Sequence, residues 1–325
     1  MKKIAVLTSG GDSQGMNSAI YGIVQYAKTR GIETHLIFEG FKGLVENKIV
    51  PASQVDLNRI NNMGGTIIKS ARFPQFKDIE VRKIAVKNLQ EKGIEAVIVI
   101  GGDGSFQGAQ KLHELGIRAI GLPGTIDNDI ASSAVAIGFY TALNNVVEAI
   151  ERTRDTANSH GRCILIEVMG NNCGDLSLYA GLATAAEVIV TNNRPMSIEE
   201  IATIVKEQKA QKDSVLVVVS EKIKKYGSIS QMAKEIEDIS GVESRGYQLG
   251  YLQRGGVPSA MERVNAIHLG IEAVKRLDND ESGIVLGWSK SKIYATQILD
   301  ALQKDSSSIE KDIKLAETYN KISRA

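Results

Sequence analysis

Cysteine is almost missing from this chain, with Cys163 and Cys173 the only two. Their spacing suits neither a disulfide framework nor a paired-cysteine zinc site, and the four histidines are dispersed, so no structural zinc is expected. Proline is scarce at five residues, and no proline-rich or low-complexity stretch marks a linker. No apolar run approaches the ~20 residues a membrane-spanning helix needs. The run after Met1-Lys2-Lys3 ends at Leu7, too short for the core of a signal peptide. The expectation is a cytoplasmic, reduced protein. Charge of one sign is also lacking: 39 Lys and Arg against 38 Asp and Glu leave a net charge of +1. Neither nucleic acid nor an anionic membrane is therefore expected as a general partner. A local phosphate pocket needs only a few basic side chains and stays open.

What is present is a repeated strand, glycine-rich loop and helix. Residues 3–8 form an apolar run, followed by Ser9-Gly10-Gly11-Asp12 and then Ile20, Ile23, Val24 and Ala27 at helical spacing, with Asn17 expected as the N-cap. The pattern returns at residues 96–100 with Gly101-Gly102-Asp103-Gly104-Ser105. It returns again at Ile120, before a long helix with Phe139, Leu143, Val146 and Ile150 on one face. A second series reads strand 163–168, helix through Leu176, Leu178 and Leu182, strand 187–190, helix 198–209 and strand 215–219. Near-continuous apolar strands alternating with helices predict an α/β protein with mainly parallel sheets in two similar three-layer domains. Ile309, Ile313, Ala316, Tyr319 and Ile322 predict a final amphipathic helix.

Ligands of such sheets sit on loops at the carboxyl ends of the strands. Residues 121–129 read as one of these loops, because Gly121, Pro123 and Gly124 oppose a helix start. The loop carries Thr125, Asp127 and Asp129 at alternate positions, which suits either an Asx-rich turn or an acid–base site. The glycines at 10–11 and 101–104 let backbone N–H groups approach an anion near a helix N-terminus. Neither is a Walker loop or a good dinucleotide fingerprint. Asp103 is a hard oxygen ligand suited to Mg²⁺ held mainly through substrate phosphates. Arg72, Arg162, Arg245 and Arg254 stand at loops or strand edges and suggest an anion site, although each alone fits a solvated surface arginine.

These residues fall in motifs: Thr8-Ser9-Gly10-Gly11-Asp12 with Gly15-Met16-Asn17, Ser70-Ala71-Arg72-Phe73-Pro74, Gly101-Gly102-Asp103-Gly104-Ser105, Pro123-Gly124-Thr125-Ile126-Asp127-Asn128-Asp129, Met169-Gly170 with Cys173-Gly174-Asp175-Leu176, and Gln253-Arg254-Gly255-Gly256. In this order the chain resembles the bacterial ATP-dependent 6-phosphofructokinase family. The resemblance implies phosphoryl transfer from MgATP to the 1-hydroxyl of fructose 6-phosphate. It implies Asp127 as general base beside Thr125, Asp129 orienting the region, and Arg72 bridging the transferring phosphoryl and the sugar phosphate. It implies Gly11, Phe41, Arg72, Phe73, Gly102, Asp103, Gly104, Ser105 and Gly108 around ATP, with Asp103 serving the metal. Thr125, Asp127, Met169, Glu221, Tyr251 and Arg254 would meet the sugar, and Arg162 and Arg245 would reach the 6-phosphate from a neighbouring subunit of a homotetramer. The implied division is residues 1–138 with 253–304 for ATP, and 139–252 with 305–325 for fructose 6-phosphate. Gly104 and Gly124 stand where pyrophosphate-using relatives carry Asp and Lys, which favours ATP as donor.

The chain departs from that pattern in places. Tyr251 stands for the sugar-contacting histidine and Asn171 for an arginine, removing positive charge. Phe41 stands for tyrosine. Tyr21, Gln25 and Gln54 occupy positions where the family's effector site has arginines, and residues 210–214 form a shortened lysine-poor turn, while Glu187 is retained. Without guanidinium forks the control by ADP and phosphoenolpyruvate is expected to be altered or absent. Alternatives are a paralogue acting on another sugar phosphate, such as tagatose 6-phosphate, or a nucleotide-binding regulatory protein of low activity.

Overall fold

The computed structural model describes residues 1–223, 226–303 and 317–318. The expected C-terminal helix from Ile309 to Ile322, and nearly all of segment 305–325, lie outside the described residues. Element order is β1 (Lys3–Thr8), α1 (Met16–Thr29), β2 (Glu33–Ile37), α2 (Gly40–Val45), β3 (Ile49–Pro51), α3 (Ile79–Glu91), β4 (Ala96–Gly101), α4 (Asp103–Glu114), β5 (Arg118–Thr125), β6 (Ile137–Gly138) and α5 (Phe139–His160). There follow β7 (Cys163–Val168), α6 (Asp175–Ala183), β8 (Val188–Val190), α7 (Ile198–Lys209), β9 (Val215–Ser220), α8 (Ile229–Ser240) and β10 (Ser244–Gln248). The last elements are α9 (Ala260–Asp278), β11 (Ile284–Ser289), β12 (Lys292–Gln297) and α10 (Ile298–Gln303).

These elements form two compact units. The first takes Met1–Ile126, Ile130–Thr141 and residues 254–303; the second takes Asp127–Asp129 and Ala142–Gln253. In the first unit the sheet runs β12-β11-β5-β4-β1-β2-β3, with the two-residue β6 beside β5. Its interior pairings are parallel, and only the edge strands β3 and β12 are antiparallel. Alternation along the strands explains why both faces are covered. Ile4, Val6, Ile98 and Ile100 point into one core, whereas Ala5, Leu7, Val97 and Val99 point into another. The first of these cores includes residues of α1 and α9, which touch backbone to backbone. A Cβ on Gly22 would stand 2.6 Å from the Ile267 carbonyl oxygen, and one on Gly270 2.5 Å from that of Ala19. The second unit has an all-parallel sheet in the order β10-β7-β9-β8. Ile201 and Val205 of α7 and Met232 and Ile236 of α8 bury against Leu165 and Val217.

Three local expectations need correction. Asn17 does not cap α1. Gly15 holds the N-cap position at φ 102°, and Asn17 is buried in the first turn. There its amide donates to the carbonyls of Met63 and Gly64 and accepts from the Ile67 N–H, tying down the loop that leads toward Arg72. Residues 121–125 are strand and not loop: β5 continues through Pro123, paired opposite Gly101, to Thr125. Gly121 is required there by packing, since a Cβ would fall 2.7 Å from the Phe106 ring. Strand β8 starts at Val188, because the preceding Glu187 spends a carboxylate oxygen on the Leu216 N–H at 2.8 Å.

Candidate active site

Parallel register brings three loops of the first unit to one edge of its sheet. Thr8 pairs with Ile100, and Gly101 with Pro123, so the loops after β1 and β4 and the end of β5 emerge side by side. The Ser9 N–H donates to the Ile100 carbonyl at 3.0 Å and fixes the glycine turn at 10–11 beside β4. The loop carrying the exposed Arg72 is tied to the same edge. Ser70 donates to the Gly10 carbonyl at 2.6 Å, and Thr8 donates to that of Lys69 at 2.8 Å. Phe73 immediately precedes the short turn Pro74–Lys77.

The glycines on this edge divide by what surrounds them. Gly101 has no room for a side chain, since a Cβ would lie 2.4 Å from Ser105 Oγ. At Gly108 a Cβ would lie 2.5 Å from Phe41 Cζ. Gly104 is the opposite case, with no atom within 4 Å of a Cβ, and at Gly102 the nearest is Ile130 Cδ1 at 3.8 Å. Protein packing therefore does not demand glycine at 102 and 104. Open backbone at the start of α4, where N–H groups lack helical partners, is what an anionic phosphate chain requires. Asp103, the first residue of α4, is exposed there, and Ser105 is buried. Among the described residues no group of three or more His, Cys, Asp or Glu could hold a metal ion. A single carboxylate beside a phosphate cradle fits Mg²⁺, which keeps waters and binds largely through substrate phosphates. Phe41, expected to face adenine, is only 6% exposed and stacks on Phe76 with centroids 4.4 Å apart.

Arg254 lies flat over Gly11, where a Cβ would stand 2.1 Å from its Nη2. Its guanidinium pairs with Asp12 Oδ1 at 3.1 Å and also donates to the Asp12 carbonyl. This ion pair was not anticipated from the sequence, although Asp12 directly follows the glycine turn.

In the second unit Asp127–Asp129 joins the loops after β7 and β9. Asn128, in the left-handed conformation at φ 54°, donates to Asp175 Oδ2 at 2.8 Å. Asn171, also left-handed at φ 55°, donates to Asp129 Oδ2 at 2.9 Å, and the Lys222 ammonium donates to Asn171 Oδ1. Glu221 accepts from the N–H groups of Gly170 and Asn171, and the Met169 N–H donates to Gln253. Asp127 is half-buried, with its Oδ1 shielded from solvent. Burial pushes the Cys173 thiol up to about 12, so it stays protonated and unreactive at neutral pH. Asn171 is thus the centre of a hydrogen-bonded loop, with Lys222 returning a positive charge close to it.

Arg162 and Arg245 are not brought to these residues. Arg162 precedes β7 and pairs with Glu243 at 2.9 Å. Arg245, at the start of β10, pairs with Glu243 and Glu237. Met169 and Glu221 follow the other ends of β7 and β9. Six residues at ~3.3 Å each separate the two edges of this sheet by roughly 20 Å. Tyr251 is 80% exposed within the short turn Gly250–Arg254. Tyr21 and Gln25 line a cavity of about 510 Å³ with Arg59, Asp56 and Asn58, and Gln54 is exposed nearby in sequence. Glu187 is buried and held by Lys212 at 3.1 Å. Among the described residues no helix is long and apolar enough to cross a membrane.

Residues 3–277 match the protein family described as Phosphofructokinase. An ATP-dependent 6-phosphofructokinase of Mycoplasmopsis pulmonis is 50% identical over the whole of both chains. That of Mycoplasma mobile is 51% identical over 100% of this chain and 99% of its own, and that of Vibrio cholerae 44% identical over 98% and 99%. Among solved structures, phosphofructokinase from Saccharomyces cerevisiae superposes with TM-score 0.85 at 29% identity, covering 100% of this chain and 48% of the yeast chain. A pyrophosphate-dependent phosphofructokinase from Marinobacter aquaeolei superposes with TM-score 0.87 at 19% identity over 100% and 92%, a likeness of fold alone. On this evidence the chain belongs to the phosphofructokinase family.

Proposed function

We propose that this protein transfers the γ-phosphoryl group of ATP to the 1-hydroxyl of fructose 6-phosphate, giving fructose 1,6-bisphosphate. The observation that carries this reading is the open backbone at Gly102 and Gly104, beside the end of β5. The full-length identity to relatives named ATP-dependent supports ATP as donor.

In this reading the N–H groups at 10–11 and 102–105 bind the phosphates, and Arg72 neutralises charge on the transferring group. Asp127 accepts the proton of the sugar 1-hydroxyl as the oxygen attacks phosphorus, Thr125 holds the hydroxyl in line, and Asp129 orients the turn through Asn171. A loose phosphoryl-transfer transition state needs this positioning and charge neutralisation more than covalent help. Asp103 would hold Mg²⁺ together with the phosphates, and the ion would supply charge compensation on the transferred group. Met169, Glu221, Tyr251 and Arg254 contact the sugar. Residues 1–138 with 253–304 serve ATP, and 139–252 with 305–325 serve the sugar phosphate.

Arg162 and Arg245, at the far edge of their sheet from Met169 and Glu221, serve the 6-phosphate of a neighbouring subunit in this reading, in which the protein acts as a homotetramer in the cytoplasm. Effector control by ADP and phosphoenolpyruvate is altered or absent, because Tyr21, Gln25 and Gln54 supply no guanidinium fork beside Arg59 and Glu187 is already engaged by Lys212. A coupled assay with ATP and fructose 6-phosphate tests the reading, with pyrophosphate and tagatose 6-phosphate as comparison substrates. Fast turnover with ATP and fructose 6-phosphate is expected; turnover driven by pyrophosphate, or faster with the tagatose ester, refutes it.

A further inference from the structure

Strand β6 is only two residues long, yet it decides where the chain goes after the proposed catalytic turn. Ile137 and Gly138 pair in parallel with Gly124 and Thr125, so the chain leaves β5 at Thr125, forms residues 126–136, and returns alongside its own point of departure. Two ladder positions are too few to hold such a return by themselves. The support comes from two sides. From one side, Ser13 donates to the Ile137 carbonyl at 2.7 Å, and Gly138, at φ 111°, lies so close that a Cβ would fall 2.4 Å from Ser13 Cβ.

From the other side comes Glu262, in the first turn of α9 and only 2% exposed. Its Oε1 accepts from the Gly138 N–H at 2.8 Å, and its Oε2 accepts from the N–H and hydroxyl of Thr141 at 3.2 and 3.3 Å. The carboxylate therefore caps α5 from outside the helix and pins β6 in the same stroke. Gly15 is required by this arrangement, since a Cβ there would meet Ile137 Cγ2 at 2.9 Å and Glu262 Cγ at 3.0 Å. Nothing in the proposed chemistry uses Glu262 directly, and a buried carboxylate facing only N–H and O–H donors is a costly way to fill a core.

We infer that Glu262 is a positioning residue for phosphoryl transfer: by holding Gly138, it sets β6 against Gly124–Thr125 and so fixes the direction in which the Asp127 turn departs. The inference rests on the proposed kinase reading. It also assigns the glycine turn after β1 a second task, because the same loop that offers N–H groups to phosphate presents Ser13 to the return strand. Misplacement of reacting groups by ~1 Å costs on the order of a hundredfold in rate, whereas binding contacts made elsewhere are spared.

The test compares wild type, Glu262→Gln and Glu262→Ala in the coupled assay, well below their melting temperatures. Glu262→Ala is expected to lower kcat by about tenfold or more with KM for ATP changed less than about twofold. Glu262→Gln, which keeps one acceptor oxygen, should fall between Ala and wild type. A lowered melting temperature with kcat unchanged in both variants overturns the inference, because a merely structural role predicts that outcome. Hydrogen exchange on the wild-type protein reads the clamp without any substitution: the amides of Gly138 and Thr141 should exchange as slowly as those of β5, and fast exchange there also overturns it. Wild-type protein inactive with ATP and fructose 6-phosphate would defeat the kinase reading instead, while leaving the exchange result to stand.

Discussion

Glu262 should make the stability of this protein depend on pH in a way that can be isolated. Burial pushes its carboxyl from the ordinary 4.5 up to about 7, outweighing the donors of Gly138 and Thr141 that favour the ionised form. A carboxyl whose pKa is raised by folding gains most when protonated. Its contribution is fully present below pH 4.5 and is lost as pH rises through 7. The separation between 4.5 and about 7 corresponds to about 3 kcal/mol. Urea unfolding of wild type and Glu262→Gln at intervals from pH 5 to pH 8 measures it, since all other titrating groups are common to both proteins. Relative to the variant, wild type should lose about 2–3 kcal/mol across that range, with the steepest change at about pH 6, midway between the two values, and a levelling-off above 7. Parallel stability curves for the two proteins would refute the reasoning. So would a wild type that gains stability relative to the variant, for then the N–H donors and not the burial would dominate.

Four further outcomes follow from the site. Asp127→Ser should leave the melting temperature nearly unchanged and lower kcat by about 10²–10⁴-fold, the usual worth of a general base, and surviving turnover in a steady-state assay would remove Asp127 from that role. Gly104→Asp meets no protein atom and should fold as well as wild type while raising KM for ATP; Gly124→Lys meets Ile100, Met16 and the Gly101 N–H at 2.9–3.3 Å and should cost about 1–3 kcal/mol in a denaturant melt. Tyr251→His changes a side chain that is 80% exposed, so stability should hold, and KM for fructose 6-phosphate should fall by about tenfold if a charge-assisted bond of roughly 1.4 kcal/mol is regained.

The architecture was legible wherever a continuous apolar run met a helical stripe, because parallel strands buried on both faces have no other appearance. Helix α7 and strand β7 fall on the expected residues. The misreadings lie where tertiary packing overrides a local preference. Gly121 and Pro123 look like loop punctuation, yet Phe106 needs the first to be small, and the second sits at the last rung of the ladder between β4 and β5. Asn17 has the chemistry of a cap, but its amide serves a loop nearly fifty residues away in the chain. Ser259 and Glu262 have the spacing of a capping box, and Ser259 does accept from the Glu262 N–H. The glutamate carboxylate turns away to Gly138, a partner no spacing rule could name. The contacts of Asp12, Asn171 and Lys222 escaped for the same reason: they are set by which loops the sheets bring together.

The path of the chain through the first unit bears on how it is made. Helix α1 lies against α9 so closely that Gly22 and Gly270 admit no side chain, and β5 borders on β11, yet α9 and β11 are synthesised only after residues 142–253 of the second unit. On the ribosome, Ile20, Ile23 and the inner face of β1 must wait without their partners while residues 142–253, contiguous in sequence, can already close their own core. The N-terminal third of this protein is therefore the part most in need of protection during synthesis, and a chain stalled before α9 would present an uncovered apolar face.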